Sequence, residues 1–139
     1  MKVAVIYAST TGNTEAMAQA VSESVKASGA EFVYSEAGSA DISETASCDV
    51  IFLGSPAMGD EVLEDSMEEF YTGLESSLSG KKVGIFGSYD WGDGQWLRDW
   101  ADRIKAAGGI LCGEPLMINL TPDADGVEQC KSWASQILK

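Results

Sequence analysis

The apolar residues gather into four short, nearly unbroken runs: Val3–Ala8, Val50–Gly54, Val83–Gly87 and Ile110–Met117. Runs of this length without polar alternation predict strands buried on both faces. A weaker fifth candidate, Glu31–Ser35, alternates more. Between the runs, apolar residues recur at helical spacing. Met17, Ala18, Val21 and Val25 share one face, and Gly29 supplies a stop. Val62, Met67, Phe70, Tyr71 and Leu74 predict a second helix ending before Gly80. Trp96, Leu97, Trp100, Ala101 and Ile104 predict a third, stopped by Gly108-Gly109, and a last one runs from Val127 through Cys130, Trp133 and Ala134 to Leu138. Asp41–Cys48 is polar and reads as an irregular turn or a short helix. The alternation predicts an α/β fold, a parallel sheet covered on both faces, as a single domain over residues 1–139. No repeat, low-complexity tract or linker interrupts it.

In such sheets, ligands sit beyond the carboxyl ends of the strands. Three loops there carry unusual chemistry. The first, Ser9-Thr10-Thr11-Gly12-Asn13-Thr14, supplies hydroxyls, an amide and a glycine at the start of a helix, whose free N–H groups suit an anion. No Lys or Arg lies between Lys2 and Lys26, so backbone amides and hydroxyls must do the binding. A nucleotide triphosphatase loop needs a Lys where Asn13 stands, and the dinucleotide fingerprint needs three spaced glycines where only Gly12 occurs. A phosphatase loop would need a nucleophile such as Cys with an Arg nearby. Holding one phosphate monoester without hydrolysis is the remaining chemistry. An ordinary strand–turn–helix capped by Asn13 or Thr14 would look the same on this segment alone.

The net charge of −13 argues against nucleic acid as a partner. It also bears on an anionic ligand, but only locally. Charges beyond about 8–10 Å are screened at physiological salt, whereas each charge-assisted hydrogen bond contributes about 1.5–3 kcal/mol. Asp60, Glu61, Glu64, Asp65, Glu68 and Glu69 crowd one segment without a basic residue among them. They are either a solvated face or a docking surface for a basic partner. Cys48, Cys112 and Cys130 are widely spaced, odd in number, and accompanied by no histidine, which makes a zinc or iron–sulfur site improbable and suggests buried thiols in a reducing compartment. No signal peptide or membrane span is expected.

The second loop holds Pro56, Ala57, Met58, Gly59, Asp60 and Glu61; the third runs from Gly87 to Gly94 through Ser88, Tyr89, Asp90, Trp91 and Gly92. Met58 on one side and Trp91 on the other would make a slot for a planar ring, with the first loop holding its phosphate.

Together these motifs resemble the short-chain flavodoxins, and the resemblance extends from Lys2 to near the C-terminus. It implies a flavodoxin-like three-layer sandwich with a five-stranded parallel sheet of order 2-1-3-4-5, for which flavodoxin is itself the usual illustration. It implies non-covalently bound FMN, with Ser9 through Thr14 on the phosphate, Met58 on the inner ring face and Trp91 stacked on the outer. Glu61 would accept from ring N3. Gly59 and Asp60 would face N5, the peptide between them turning over on one-electron reduction. Asp90 stands where similar members often carry Gly, and Ala8 where some carry Trp. The function implied is a low-potential, one-electron carrier, cytoplasmic and monomeric, that docks transiently on basic-surfaced redox enzymes. An FMN-dependent quinone or nitro reductase on the same fold is the alternative; it would need longer loops or a subunit interface. A phosphoacceptor receiver domain would need acids where Ala8-Ser9 and Gly54-Ser55 stand.

Overall fold

The computed structural model describes the whole chain, Met1–Lys139. Six strands, β1 (Lys2–Tyr7), β2 (Glu31–Glu36), β3 (Val50–Gly54), β4 (Lys82–Tyr89), β5 (Ile110–Leu111) and β6 (Leu116–Asn119), form one sheet in which every pairing is parallel. Its order is β2-β1-β3-β4-β5, with β6 also on β4. The helices are α1 (Asn13–Ala27), α2 (Ile42–Ala46), α3 (Asp65–Leu74), α4 (Gln95–Ala106) and α5 (Ala124–Leu138).

Alternate residues of each strand feed two separate cores, as a period of two requires. Ala4, Ile6, Ile51, Leu53, Val83 and Ile85 pack against the buried faces of α3 and α4, including Phe70, Tyr71, Trp96 and Trp100. Val3, Val5, Val50, Phe52 and Phe86 pack against α1 and α5 through Met17, Val21, Val25, Cys130 and Ala134. Gly84 leaves room for the second layer: a Cβ there would lie 3.0–3.1 Å from Ile137, Phe52 and Trp133.

The fold differs from the sequence pattern at several places. The run Ile110–Met117 is two strands, not one. Lys82 and Val83 pair with Ile110 and Leu111, then Phe86 pairs with Leu116, so Cys112–Pro115 stand opposite only Gly84 and Ile85. Gly113, at φ +69°, and Pro115, which has no N–H to give a ladder, expel this segment. The sheet is therefore six-stranded rather than five-stranded. Val62 is not helical; it is exposed in the loop before α3. Finally, Cys112 is half-exposed, whereas Cys48 and Cys130 are buried, with burial pushing the Cys130 thiol up to about 11. The polar segment Asp41–Cys48 does contain a short helix, α2, whose cap Asp41 accepts from the Glu44 N–H at 2.8 Å.

Candidate functional site

Because every strand is parallel, the loops after β1, β3 and β4 emerge at one edge of the sheet. The first bends at Gly12, whose φ of +92° excludes most side chains although a Cβ there would meet nothing. Ser9 Oγ sits under the bend and accepts from the N–H groups of Gly12 (3.1 Å) and Glu15 (3.3 Å). Gly12 caps α1 without a side-chain bond, so neither Asn13 nor Thr14 is the cap. The N–H groups of Thr10, Thr11, Asn13 and Thr14 find no acceptor in the protein. The hydroxyls of Thr10 and Thr11 are exposed and unpaired as well. Such a set of donors at a helix N-terminus, with no cation among them, suits an anion held by hydrogen bonds alone.

Thr14 has a second role. Its side chain is buried, and its hydroxyl lies 2.7 Å from that of Ser88, locking the first loop to β4. Ser88 is thus an inward-facing strand residue rather than part of a loop, and Tyr89 also belongs to β4. The Tyr89 ring packs 5.9 Å from that of Trp96. Trp91, in contrast, is 60% exposed. Of the two aromatics, only Trp91 is free to cover a ligand.

The second loop is anchored by buried Ser55 and Pro56 and by Ala57, whose N–H donates to the Ser88 carbonyl at 3.0 Å. Half-buried Met58 opens a tight turn closed by the Glu61 N–H on the Met58 carbonyl at 2.8 Å. Gly59 and Asp60 are the exposed tip; a Cβ on Gly59 would meet nothing within 4 Å. Glu61 adopts φ +52°, a strained value for a residue with a side chain. Its Oε1 accepts from the N–H groups of Asp93 (3.1 Å) and Gly94 (3.2 Å), clasping the third loop to the second. Gly92 makes room for this clasp, since a Cβ there would run into the Glu61 carboxylate. The other carboxylate oxygen has no protein donor.

The sequence pattern missed a fourth segment. It comprises Asn119, the last residue of β6, paired in register with Tyr89 of β4, and the two residues that follow, Leu120 and Thr121. Asn119 Nδ2 donates to the carbonyls of Tyr89 (3.1 Å) and Asp90 (3.3 Å), and the Leu120 N–H donates to Tyr89 at 2.8 Å. Thr121 Oγ1 donates to Asn13 Oδ1 at 2.9 Å.

Not all of the clustered acids are free. Glu64 caps α3 by accepting from Ser66 and Met67 N–H groups. Glu68 forms a paired contact with the Arg103 guanidinium at 2.7 and 2.9 Å, which holds its carboxyl below the usual range against the opposing effect of burial. Asp93 pairs with Arg98 at 2.9 Å. Asp60, Asp65, Glu69 and Asp90 remain exposed without a basic partner. A depression of about 570 Å³ beside Cys112 and Trp133 is lined by none of these loops.

The flavodoxin family model matches residues 5–133. The chain belongs to the flavodoxin family. It is 45% identical over 138 residues to a flavodoxin of Megasphaera elsdenii, covering 99% of this chain and 98% of that one. It is 38% identical over 134 residues to one of Clostridium beijerinckii, covering 96% of each. The solution structure of the two-electron reduced Megasphaera elsdenii flavodoxin superposes with a TM-score of 0.85 at 43% identity, covering 98% of this chain and 99% of that one. Flavodoxins bind FMN and are electron-transfer proteins rather than enzymes, serving redox partner enzymes. The donor set fits that cofactor: unpaired amides suit its phosphate, and half-buried Met58 and exposed Trp91 leave apolar surface in the neighbouring loops for a flat ring. No helix is long and apolar enough to cross a membrane.

Proposed function

We propose that this flavodoxin is a low-potential, one-electron carrier that works as a monomer and docks on basic-surfaced redox enzymes. The observation that carries the reading is the row of unpaired amides at Thr10, Thr11, Asn13 and Thr14 beside a second and third loop already held together. FMN supplies the electron chemistry when bound. The protein binds it, orients it and sets the cost of adding charge.

Ser9 through Thr14 hold the phosphate: backbone N–H groups and the Thr10 and Thr11 hydroxyls donate, while Ser9 and Thr14 fix the loop. Pro56 and Ala57 set the height of the second loop, and Met58 and Trp91 cover the two ring faces. Glu61 keeps one oxygen on the third loop and offers the other to the ring edge. Gly59 and Asp60 form a turn whose central peptide is free to reverse and accept a proton's hydrogen bond. Ser88, Tyr89 and Gly92 support this arrangement from behind.

Charge makes the second electron costly. One carboxylate about 8 Å away at an effective dielectric near 40 opposes a negative ring by about 1 kcal/mol. Asp60, Glu61 and Asp90 act together, while Arg98 offsets Asp93. The same acids, with Asp65 and Glu69, steer basic partners.

A potentiometric titration tests the reading. Two separated one-electron steps are expected, the second below that of free FMN. Electron transfer to a basic haem protein should slow as salt rises. A single two-electron step, or direct bleaching by NADPH with quinone turnover, contradicts the carrier assignment.

A further inference from the structure

We propose that Thr121 is a positioning residue for phosphate recognition, acting through Asn13; this rests on the reading of Ser9–Thr14 as the FMN phosphate loop. Asn13 is the first residue of α1, half-buried, with a side chain that carries an acceptor on one side and a donor on the other. If its carbonyl oxygen faced the anion, it would repel it. Thr121 Oγ1 donates to Asn13 Oδ1 at 2.9 Å and takes the acceptor out of play, leaving Nδ2, which has no protein partner, as the free donor.

Thr121 is itself fixed from both sides. Before it, Leu120 turns the chain at φ +58° with its N–H on the Tyr89 carbonyl, and Asn119 grips the carbonyls of Tyr89 and Asp90. After it, Pro122 is buried. The strain at Leu120 is the cost of bringing the hydroxyl to Asn13. An amide side chain free to rotate could turn either end toward the anion, so something must fix which end faces it. Thr121 does so from 108 residues away.

Dissociation constants of FMN and riboflavin for the wild type, Thr121→Val and Thr121→Ser test this role. Thr121→Val keeps the shape and removes the hydroxyl. It should weaken FMN about ten- to a hundredfold, the scale of one charge-assisted hydrogen bond, and leave riboflavin within about twofold. Thr121→Ser should restore FMN binding to near the wild-type level. Unchanged FMN affinity in Thr121→Val overturns the proposal, and so does an equal loss for both ligands, which marks a structural defect. A wild type that binds both equally overturns the phosphate-loop reading itself, and this role with it.

Discussion

The loop proposed to hold the phosphate and the two proposed to hold the ring meet at the same edge of the sheet but are built on opposite plans. Around Gly12 the backbone is locked by Ser9 and by the Thr14–Ser88 bond, and the donors left over all point to one use. Around Gly59 and Trp91 the fixed points lie at the margins, in Ala57, Glu61 and Asn119, and the tips stand free. A phosphate does not change during electron transfer, so preset donors serve it well. On the proposed reading the flavin ring changes charge and protonation, so the loops that would hold it need a peptide that can turn and an indole that can adjust. Rigid anchoring and tunable contact are thus assigned to different loops.

The contrast fails most visibly if the locked loop tolerates backbone change. Gly12→Val adds no clash, because the Cβ space is open, but forces a β-branched residue to φ +92°. Loss of one or two charge-assisted bonds predicts FMN binding weaker by about a hundredfold, with riboflavin little affected. Equal effects on both ligands in equilibrium binding would show that the loop does not act through the phosphate.

For the free tip, Gly59→Thr isolates conformation from packing, since its Cβ also meets nothing. Gly59 now lies outside the left-handed region; a turned form of type I′ or II′, in which the peptides on both sides of Gly59 rotate, would place it there. The cost of about 1–3 kcal/mol corresponds to roughly 40–130 mV for one electron, narrowing the gap between the two potentials. An unmoved gap removes the turning peptide from the account.

Trp91→Ala should cost about two- to tenfold in FMN affinity from stacking alone and relieve quenching of flavin fluorescence. Unchanged affinity and quenching would place Trp91 away from the ring.

The smallest effect concerns Glu68, whose acid contributes to stability rather than docking. Its carboxyl is held below the ordinary range by Arg103, so the pair contributes fully above about pH 4.3 and is lost as pH falls through the lowered value. Both partners are partly exposed, so the contribution is about 0.2–1 kcal/mol. The difference in unfolding free energy between wild type and Glu68→Gln should be constant near neutrality and shrink in acid. A difference independent of pH contradicts this.

The sequence carried the sheet and its two cores because the central strands β1, β3 and β4 are apolar on both sides. The donor-rich bend before α1 was readable for a related reason: its residues, Ser9–Thr14, are six consecutive ones. What escaped was non-local. Nothing beside Thr121 announces a contact with Asn13, and the clasp of Glu61 on Asp93 and Gly94 spans two loops. The assignment of Ser88 and Tyr89 to a loop followed from ending the apolar run at Gly87, whereas β6 extends the ladder to Tyr89. The split at Cys112–Pro115 was visible in principle, since a Pro inside an apolar run argues against a continuous strand. Val62 fitted a helical spacing but precedes the cap, Glu64.

Isothermal titration of the apoprotein with FMN and with riboflavin tests the central claim most directly. The unpaired amides of Thr10, Thr11, Asn13 and Thr14 predict FMN binding tighter by at least about a thousandfold, as several charge-assisted bonds require. Equal affinity for the two would contradict it.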